Sequence, residues 1–386
     1  MKQLLDSINQ AWFPDNNRTL IISLDGGAKE NVIELVESFR FSHGNVEIIR
    51  REDNLGVKDH IITCADFALK FGSVIILEDD LVVGPSFYEF AMKALLHYKD
   101  EPSIAGISLY SQRYNETAAL PFEPLDSRWP VYFMKLGCSW GQAWSRRQWS
   151  DFKRWRDEAK HQIREGDDTI PENVKRWPDT SWKKSYIQFL IVTGRYMVYP
   201  YSSYTTNNSG QGGTHMNDVR NRFQVSLNVS ERLGDCFELP DFGINSIKYD
   251  AYMESETSTV RKWAGMDSDE VEMDLYGTKP TKLLQEKPFA ITSKKVNHYV
   301  RSYPLNFRPM ELNLRHHSAQ DEAFFYLVDT STLSGKEQII GSSFYSLFEY
   351  FIYGSIKTTK FARLYLTAMI KYIPDRIRMI FSSKQR

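Results

Sequence analysis

A run of three acidic residues is the feature of this sequence best suited to chemistry. Glu78, Asp79 and Asp80 directly follow the apolar stretch 74–77. Adjacent carboxylates repel one another, and a divalent cation is the ordinary way to neutralise them. A solvent-exposed loop that caps a helix is the alternative, because acids also favour helix N-termini. The triplet by itself leaves both interpretations open.

The elements around the triplet predict where it lies. Apolar periodicity predicts helices over residues 2–12, 29–40, 58–70 and 86–98. Short apolar runs predict strands over residues 19–24, 46–49, 73–77 and 104–109. This alternation predicts a parallel, doubly wound α/β sheet. Ligands of such sheets bind outside the carboxyl ends of the strands, which is where the triplet would lie.

The composition is that of a globular protein large enough for two or three domains. The 386 residues carry 48 basic and 49 acidic side chains, for a net charge of −1. This balance argues against bulk electrostatic binding of nucleic acid. Three scattered cysteines are too few for a disulfide framework, and the first residues lack a long apolar core. We therefore expect a reduced, cytoplasmic setting, with neither a signal peptide nor a membrane anchor at the start.

Several motifs occur in an order that resembles the GT-A nucleotide-sugar glycosyltransferases, most closely the N-acetylglucosaminyltransferase I type. Asn54-Leu-Gly56 comes first and is followed by VIILEDDLVVGPSFYEF at 74–90. GCSWGQAWSRRQW at 137–149 is similar to the Gly-x-Gly-Trp segment of that family, and SSYTTNNSGQGGTH at 202–215 to its donor-covering loop. The resemblance covers roughly residues 1–220.

The resemblance implies a role for each acid of the triplet. Asp80 would ligate Mn²⁺ or Mg²⁺ directly, whereas Glu78 and Asp79 would lie near the ribose and the water shell of the metal. The cation would bridge the two phosphates of a nucleotide-sugar, a UDP-sugar by resemblance to the family, and stabilise the charge on the departing nucleoside diphosphate.

Other residues match positions that contact the nucleotide in this family. Asp25 would hydrogen-bond the base, although an Asx-turn before Gly26-Gly27 explains the same pattern. Asn54, Gly56 and Lys58 would contact the nucleotide and its phosphates, with a solvated helix position as the alternative for Lys58. His215 would meet the diphosphate or the metal, unless it is an exposed loop histidine.

An inverting transferase also needs a carboxylate that takes the proton from the acceptor hydroxyl. The family places this base in a Trp- and Asp-rich segment, and Trp177-Pro-Asp179-Thr-Ser-Trp182 fits best. We expect Asp179 to be the base, with Asp167 and Asp168 as competitors. A helix cap is the structural alternative for Asp179.

The resemblance implies a GT-A (Rossmann-like) mixed sheet flanked by helices, over residues 1–240. The sequence departs from that fold at its start, because no apolar β-run precedes the first predicted helix. We therefore expect the first strand to be lacking, which would expose an unpaired edge or a gap. Residues 241–341 are expected to form a mixed accessory region.

Residues 342–386 are aromatic and basic, with eight basic side chains against two acidic ones. A helical wheel collects Lys357, Lys360, Arg363 and Lys371 on one side. No apolar run there is long enough to span a bilayer. The pattern predicts an amphipathic helix lying on an anionic membrane at its inner face, or else a helix packed on the catalytic domain.

The leading hypothesis is a metal-dependent, inverting glycosyltransferase. It would move a sugar, for which GlcNAc is one candidate, from a nucleotide-sugar donor to a glycan or lipid-linked acceptor. A non-catalytic sugar-binding or scaffold protein on a degenerate GT-A fold is the alternative from another class. A nucleotidyl- or phosphosugar-transferase is a third, but it lacks the expected Gly-rich phosphate loop near the start.

Overall fold

The structure is a computed structural model that describes residues 1–158, 167–208, 222–267, 269–318, 321–351 and residue 366. The chain divides into two compact units, Met1–Glu337 and Gln338–Arg386. Residues 241–337 belong to the same unit as the first 240 residues, in contrast to the predicted separate accessory region.

The first third of the chain alternates between helices and strands as predicted. One predicted helix, at 58–70, is divided in two at Asp66. The elements are α1 (Lys2–Gln10), β1 (Arg18–Leu24), α2 (Glu30–Ser38), β2 (Gly44–Arg50), α3 (Gly56–Ala65), α4 (Phe67–Phe71), β3 (Ser73–Ile76), β4 (Leu81–Val83), α5 (Phe87–His97) and β5 (Ile104–Ser108).

The remaining elements of the first unit are shorter on average. They are β6 (Tyr114–Asn115), β7 (Leu120–Pro121), β8 (Val131–Met134), β9 (Gln142–Ser145), α6 (Arg146–Glu158), α7 (Glu172–Lys175), α8 (Trp182–Thr193), β10 (Tyr196–Pro200), β11 (Thr205–Asn207), β12 (Lys248–Tyr249), α9 (Ser258–Trp263), β13 (Val271–Asp274), α10 (Thr281–Leu284), β14 (Phe289–Thr292), β15 (Arg301–Tyr303), α11 (Leu312–Arg315) and β16 (Phe325–Asp329).

The central sheet has six strands in the order β12-β8-β10-β5-β9-β3 and is mixed. β10 runs parallel to β5, whereas β9 is antiparallel to both β3 and β5. The expectation of a purely parallel sheet is therefore wrong, and the mixed sheet implied by the resemblance is found. The antiparallel strands β8 and β9 come from the tryptophan-rich stretch after residue 128, where no strand was predicted.

β1 and β2 form a separate parallel pair. Each of β1 and β3 pairs with a single neighbour, so among the described residues both have one unpaired edge. Helix α1 packs against both β1 and β4, since Leu5 clusters with β1 whereas Leu4 and Ile8 cluster with β4. Open sheets always have such edges, so the predicted loss of a first strand stays a prediction.

A second, four-stranded sheet follows in the order β13-β14-β16-β15. Strand β12 precedes it in the chain and adds to the central sheet beside β8. Lys279 is buried near this second sheet and forms ion pairs with Asp250 and Glu272. Because β12 belongs to the central sheet, the region after residue 241 is continuous with the first 240 residues rather than separate.

The second unit contains helix α12 (Gly341–Phe351). The basic positions predicted to form one face of a tail helix, Lys357, Lys360, Arg363 and Lys371, lie outside the described residues. Across the described ranges, no helix combines the length and the apolar character that crossing a bilayer requires.

Candidate functional site

The acidic triplet lies between the end of β3 and the start of β4. β4 pairs antiparallel with β11, and the backbone N–H of Asn208 donates to the carbonyl of Asp80 over 2.6 Å. The chain therefore lies beside the triplet at Asn208, the last described residue before residues 209–221. His215, predicted to contact a diphosphate or metal, lies outside the described residues.

The three acids differ in exposure. Asp79 is exposed, while Glu78 and Asp80 are half-buried. The pKa of Glu78 is raised to about 7, chiefly by burial and next by the Asp80 carboxylate, while Lys183 opposes the shift. A divalent cation here would relieve the repulsion between the acids, and carboxylate oxygens suit Mg²⁺ or Mn²⁺.

The described residues contain no group of three or more His, Cys, Asp or Glu side chains arranged to hold a metal ion. A protein-only metal centre is therefore not formed by this part of the chain. A cation held by Asp80 would need oxygen ligands from a bound substrate as well, such as the phosphates of a nucleotide.

Asp25 organises the turn that begins helix α3. Its carboxylate accepts hydrogen bonds from the backbone N–H groups of Gly26, Leu55 and Gly56 at 2.9–3.0 Å. Desolvation alone would raise the pKa of Asp25, but these backbone donors, helped by His60, lower it overall. The carboxylate thus bonds to the adjacent Gly26 N–H rather than to that of Gly27, which an Asx-turn would use, and it also reaches the predicted nucleotide segment.

Two glycines allow this close approach. Gly56 has a φ of +73°, which favours glycine. A Cβ on Gly26 would lie 2.3 Å from the backbone carbon of Asp53, so only glycine fits there. The side chain of Asn54 also accepts from the N–H of Gly56. The structure therefore brings Asp25, Asn54 and Gly56 together, as the sequence predicted.

Helix α3 meets the start of helix α8 at the same place. Lys58 donates through Nζ to the backbone carbonyl of Asp179 over 2.8 Å. The carboxylate of Asp179 is 94% exposed and forms an ion pair with Lys184 at 2.9 Å. Lys184 lowers the pKa of Asp179 through that hydrogen bond. Asp179 is therefore near the predicted phosphate-binding residue, but its carboxylate is held by a lysine.

The competing acids are also engaged. Asp167 accepts from the backbone N–H and the hydroxyl of Thr169, at 3.1 and 2.6 Å. Asp168 lies 3.7 Å from the Nζ of Lys175. Both acids are therefore placed in local turn and ion-pair interactions.

These contacts connect most predicted site residues into one series, which we call the acid rim. Asp25 holds the start of α3, Lys58 joins α3 to α8, and Lys183 on α8 acts on the charge of Glu78. The residues of the acid rim are Asp25, Asn54, Gly56, Lys58, Glu78, Asp79, Asp80, Asp179 and Lys183.

A small cleft that opens to solvent lies beside the acid rim. Lys183 is shared between the two, since it lines the cleft and also faces Trp140 and Trp177. Trp144 is fully buried in the core, whereas Trp140 lines the cleft.

The charged residues among the described lining of the cleft, Lys183 and Glu116, were not singled out from the sequence. Neither belongs to a recognisable motif, because a lysine in a helical run and a glutamate in a polar turn are ordinary surface residues. Only their positions in the fold bring them to the cleft.

Arg113 and Arg147 both donate to backbone carbonyls. Arg113 donates to the carbonyl of Tyr201, and Arg147 donates to the carbonyls of Lys99 and Glu101. They stabilise loop backbone in the described structure.

Comparison with known proteins adds no family. The chain matches no model of a protein family, and no curated protein matches it. The resemblance to GT-A glycosyltransferases therefore rests on the motifs and their order.

Proposed function

We propose that the protein is a metal-dependent, inverting glycosyltransferase of GT-A type. It uses a nucleotide-sugar donor, a UDP-sugar such as UDP-GlcNAc, and a glycan or lipid-linked acceptor. The observation that carries this proposal is the acid rim, in which residues far apart in sequence converge beside one cleft. A mixed α/β sheet with acids after a central strand is also the setting in which such donors bind.

Each part of the rim has a task in this reaction. Asp80 would hold the cation, with Glu78 and Asp79 beside it, and a cation there would supply positive charge that stabilises a leaving diphosphate. Asp25 and Asn54 position the nucleotide base, while Gly56 and Lys58 meet the ribose and phosphates. His215 is retained as a proposed contact to the diphosphate. Asp179, Asp167 and Asp168 are the acids that the sequence offers as the base.

Calorimetry on the full-length chain tests the donor site. UDP titrated into the wild type should bind in the presence of Mn²⁺ and much more weakly in its absence. Asp80→Ala should remove the dependence on Mn²⁺ without unfolding the protein. Asp100→Ala is the matched control, because Asp100 is an exposed acid just before β5, at the amino ends of the strands. Unchanged metal dependence in Asp80→Ala would contradict the metal assignment.

A non-catalytic sugar-binding protein is favoured by two observations. The carboxylate of Asp25 already accepts three backbone hydrogen bonds, and β1 and β3 keep unpaired edges in the described chain. Such a protein would bind sugars in the cleft and release no UDP. Measuring UDP release from a panel of UDP-sugars with Mn²⁺ separates it from the enzyme.

We also propose that the basic tail attaches the protein peripherally to anionic membrane. Residues 342–386 carry eight basic and two acidic side chains, and helix α12 exposes Phe344 and Tyr345. Such a tail suits a cytoplasmic enzyme that acts on a lipid-linked acceptor. Deleting residues 342–386 should abolish co-sedimentation with phosphatidylserine vesicles at low salt. Equal sedimentation of intact and shortened protein would contradict the attachment.

A further inference from the structure

The turn at residues 250–254, which we call the cleft turn, forms part of the wall of the small cleft. Ala251 and Met253 line the cleft. Met253 has a φ of +62°, in the left-handed region that favours glycine. The Asp250 carboxylate holds the turn in this shape, because it accepts from two backbone N–H groups of the turn, at 2.8 and 2.9 Å. The conformation of the cleft turn therefore depends on polar contacts around Asp250.

Glu254, the last residue of the cleft turn, connects the turn to the second sheet. It is 1% exposed, and its carboxyl group accepts a hydrogen bond from the backbone N–H of Tyr276 over 2.7 Å. Tyr276 comes two residues after strand β13 of the second sheet. Lys279, from the same loop, also reaches the turn through its ion pair with Asp250. The cleft turn is thus joined to this loop by a hydrogen bond and an ion pair.

Glu254 differs from the other acids of this junction in its partners. Each of the others has a lysine within the distance of an ion pair. The pairs are Lys279 with Asp250 and Glu272, Lys294 with Asp274, and Lys135 with Glu256. Glu254 forms no ion pair with any residue in the described ranges of the chain. Its hydrogen bond from a backbone N–H leaves it without a compensating positive charge.

The charged groups that face Glu254 disfavour its ionised form. Burial and next the charge of Asp274 raise the pKa of Glu254 well above its usual value, and Asp250 adds to the shift. Lys279 opposes the shift, but its ammonium group is already paired with Asp250 and Glu272. The remaining cations of the junction act on other acids, Lys294 on Asp274, and Lys135, Lys248 and Arg261 on Glu256. An ionised Glu254 would therefore be a buried, uncompensated anion beside two other anions.

We propose that Glu254 keeps its proton in the folded protein at neutral pH and acts as a pH-sensitive latch between the cleft turn and the second sheet. The neutral carboxyl group accepts from the Tyr276 N–H without burying an unpaired charge. Loss of its proton to water places a third carboxylate beside Asp250 and Asp274, and the cleft turn is released from the second sheet. Alkaline conditions therefore loosen the wall of the cleft. This inference does not depend on the proposed transferase activity.

Hydrogen exchange of the Tyr276 amide reports on the latch, because that N–H is the donor to Glu254. It is measured on the full-length protein from about pH 6 to about pH 9 and corrected for the intrinsic rise in exchange rate with pH. The protection factor of the wild type should fall about tenfold for each pH unit above the pKa of Glu254. In Glu254→Gln it should stay constant, because glutamine is neutral at every pH and keeps an acceptor oxygen. Glu270→Gln is the matched control, since Glu270 is exposed just before β13 and should behave as the wild type does.

Two measurements at neutral pH test the protonated state itself. The infrared difference spectrum between the wild type and Glu254→Gln should contain the carbonyl stretch of one protonated carboxylic acid. Urea denaturation should give the two proteins nearly equal stability, because the substitution removes no charge.

Each outcome bears on the proposal. Protection of the Tyr276 amide that does not change with pH in the wild type, or that changes equally in Glu254→Gln, overturns the latch. A carboxylate band in place of the acid band in the infrared difference overturns the neutral state. Failure of Glu254→Gln to fold, or a large loss of its stability at neutral pH, also overturns the neutral state, since it would show that the junction needs the charge of Glu254.

Discussion

The ammonium group of Lys58 donates to the backbone carbonyl of Asp179 over 2.8 Å, although 121 positions separate the two residues in the chain. This bond joins the first turn of α3 to the residues before α8. Because the acceptor is a main-chain oxygen, it does not depend on the Asp179 side chain. It therefore holds two halves of the acid rim together regardless of the role of the Asp179 carboxylate.

Replacing Lys58 tests whether its charge serves the donor or only this junction. Lys58→Met should weaken Mn²⁺-dependent UDP binding about tenfold, equivalent to about 1.4 kcal/mol, through loss of a positive charge near the phosphates. The free energy of unfolding should fall by about 1 kcal/mol at most, the scale of one exposed hydrogen bond. Lys70→Met is the control, since Lys70 is exposed and contacts Phe71. Unchanged UDP affinity in Lys58→Met would mean that Lys58 only joins α3 to the residues before α8.

The Asp25 carboxylate should matter for both stability and donor binding. Asp25→Ala leaves the N–H groups of Gly26, Leu55 and Gly56 without their acceptor, which should cost about 2 kcal/mol of unfolding free energy. Asp25→Asn keeps one acceptor oxygen and should cost less. Urea denaturation measures both variants, with the exposed neighbour Asp53 changed to alanine as control. Equal stability of all three would contradict the role of Asp25 in the turn.

Buried Glu311 predicts a pH dependence of stability. Burial raises the pKa of Glu311 from 4.5 to about 7, with Tyr249 donating to its carboxylate at 3.0 Å and the charge of Glu123 adding to the shift. Between these two values the unfolded chain loses the proton while the folded chain keeps it. The free energy of unfolding should therefore fall by about 3 kcal/mol as the pH rises from about 4.5 to about 7.

Glu311→Gln is neutral at every pH and should remove that part of the pH dependence. Denaturant titrations of the wild type and the variant between pH 4.5 and 8 measure it. The exposed Glu322 changed to Gln serves as the control and should keep the wild-type slope. Superimposable pH curves for the wild type and Glu311→Gln would contradict the prediction.

The buried ammonium of Lys279 should be among the most sensitive positions for folding. Its side chain is 1% exposed and pairs with Asp250 and Glu272. Burial would lower the pKa of Lys279, but these acids and Glu254 raise it above its usual value. Lys279→Met leaves buried acids uncompensated and should cost about 3–5 kcal/mol. The exposed Lys282→Met should cost little, and similar thermal denaturation of both variants would contradict this role.

The local pattern of the sequence was sufficient for the first half of the fold. Apolar runs and helical periods located β1, β3 and α5, because such elements bury apolar side chains at a regular spacing. The strands β8 and β9 were missed, since their aromatic residues carry no alternation that distinguishes a strand from other buried segments. Pairing partners and strand direction depend on contacts distant in sequence, so the antiparallel course of β9 was not predictable from its own residues.

The residues of the candidate site were likewise only partly predictable from the sequence. Asp25, Gly56 and the triplet at Glu78 were identifiable, because acids or glycines at strand ends form a local pattern. Lys183 and Glu116 were not, since only the fold brings them to the cleft. The orientation of Asp179 was also beyond the sequence, because its ion pair with Lys184 depends on how helix α8 begins.

A crystal structure of the full-length protein grown with UDP and Mn²⁺ tests the central claim most directly. The account predicts the cation bound to the Asp80 carboxylate and bridging both phosphates. The uracil ring should lie by Asp25 and Asn54, and the diphosphate should be within reach of Lys58. A nucleotide bound away from the acid rim, or a cation bound without Asp80, would contradict the account.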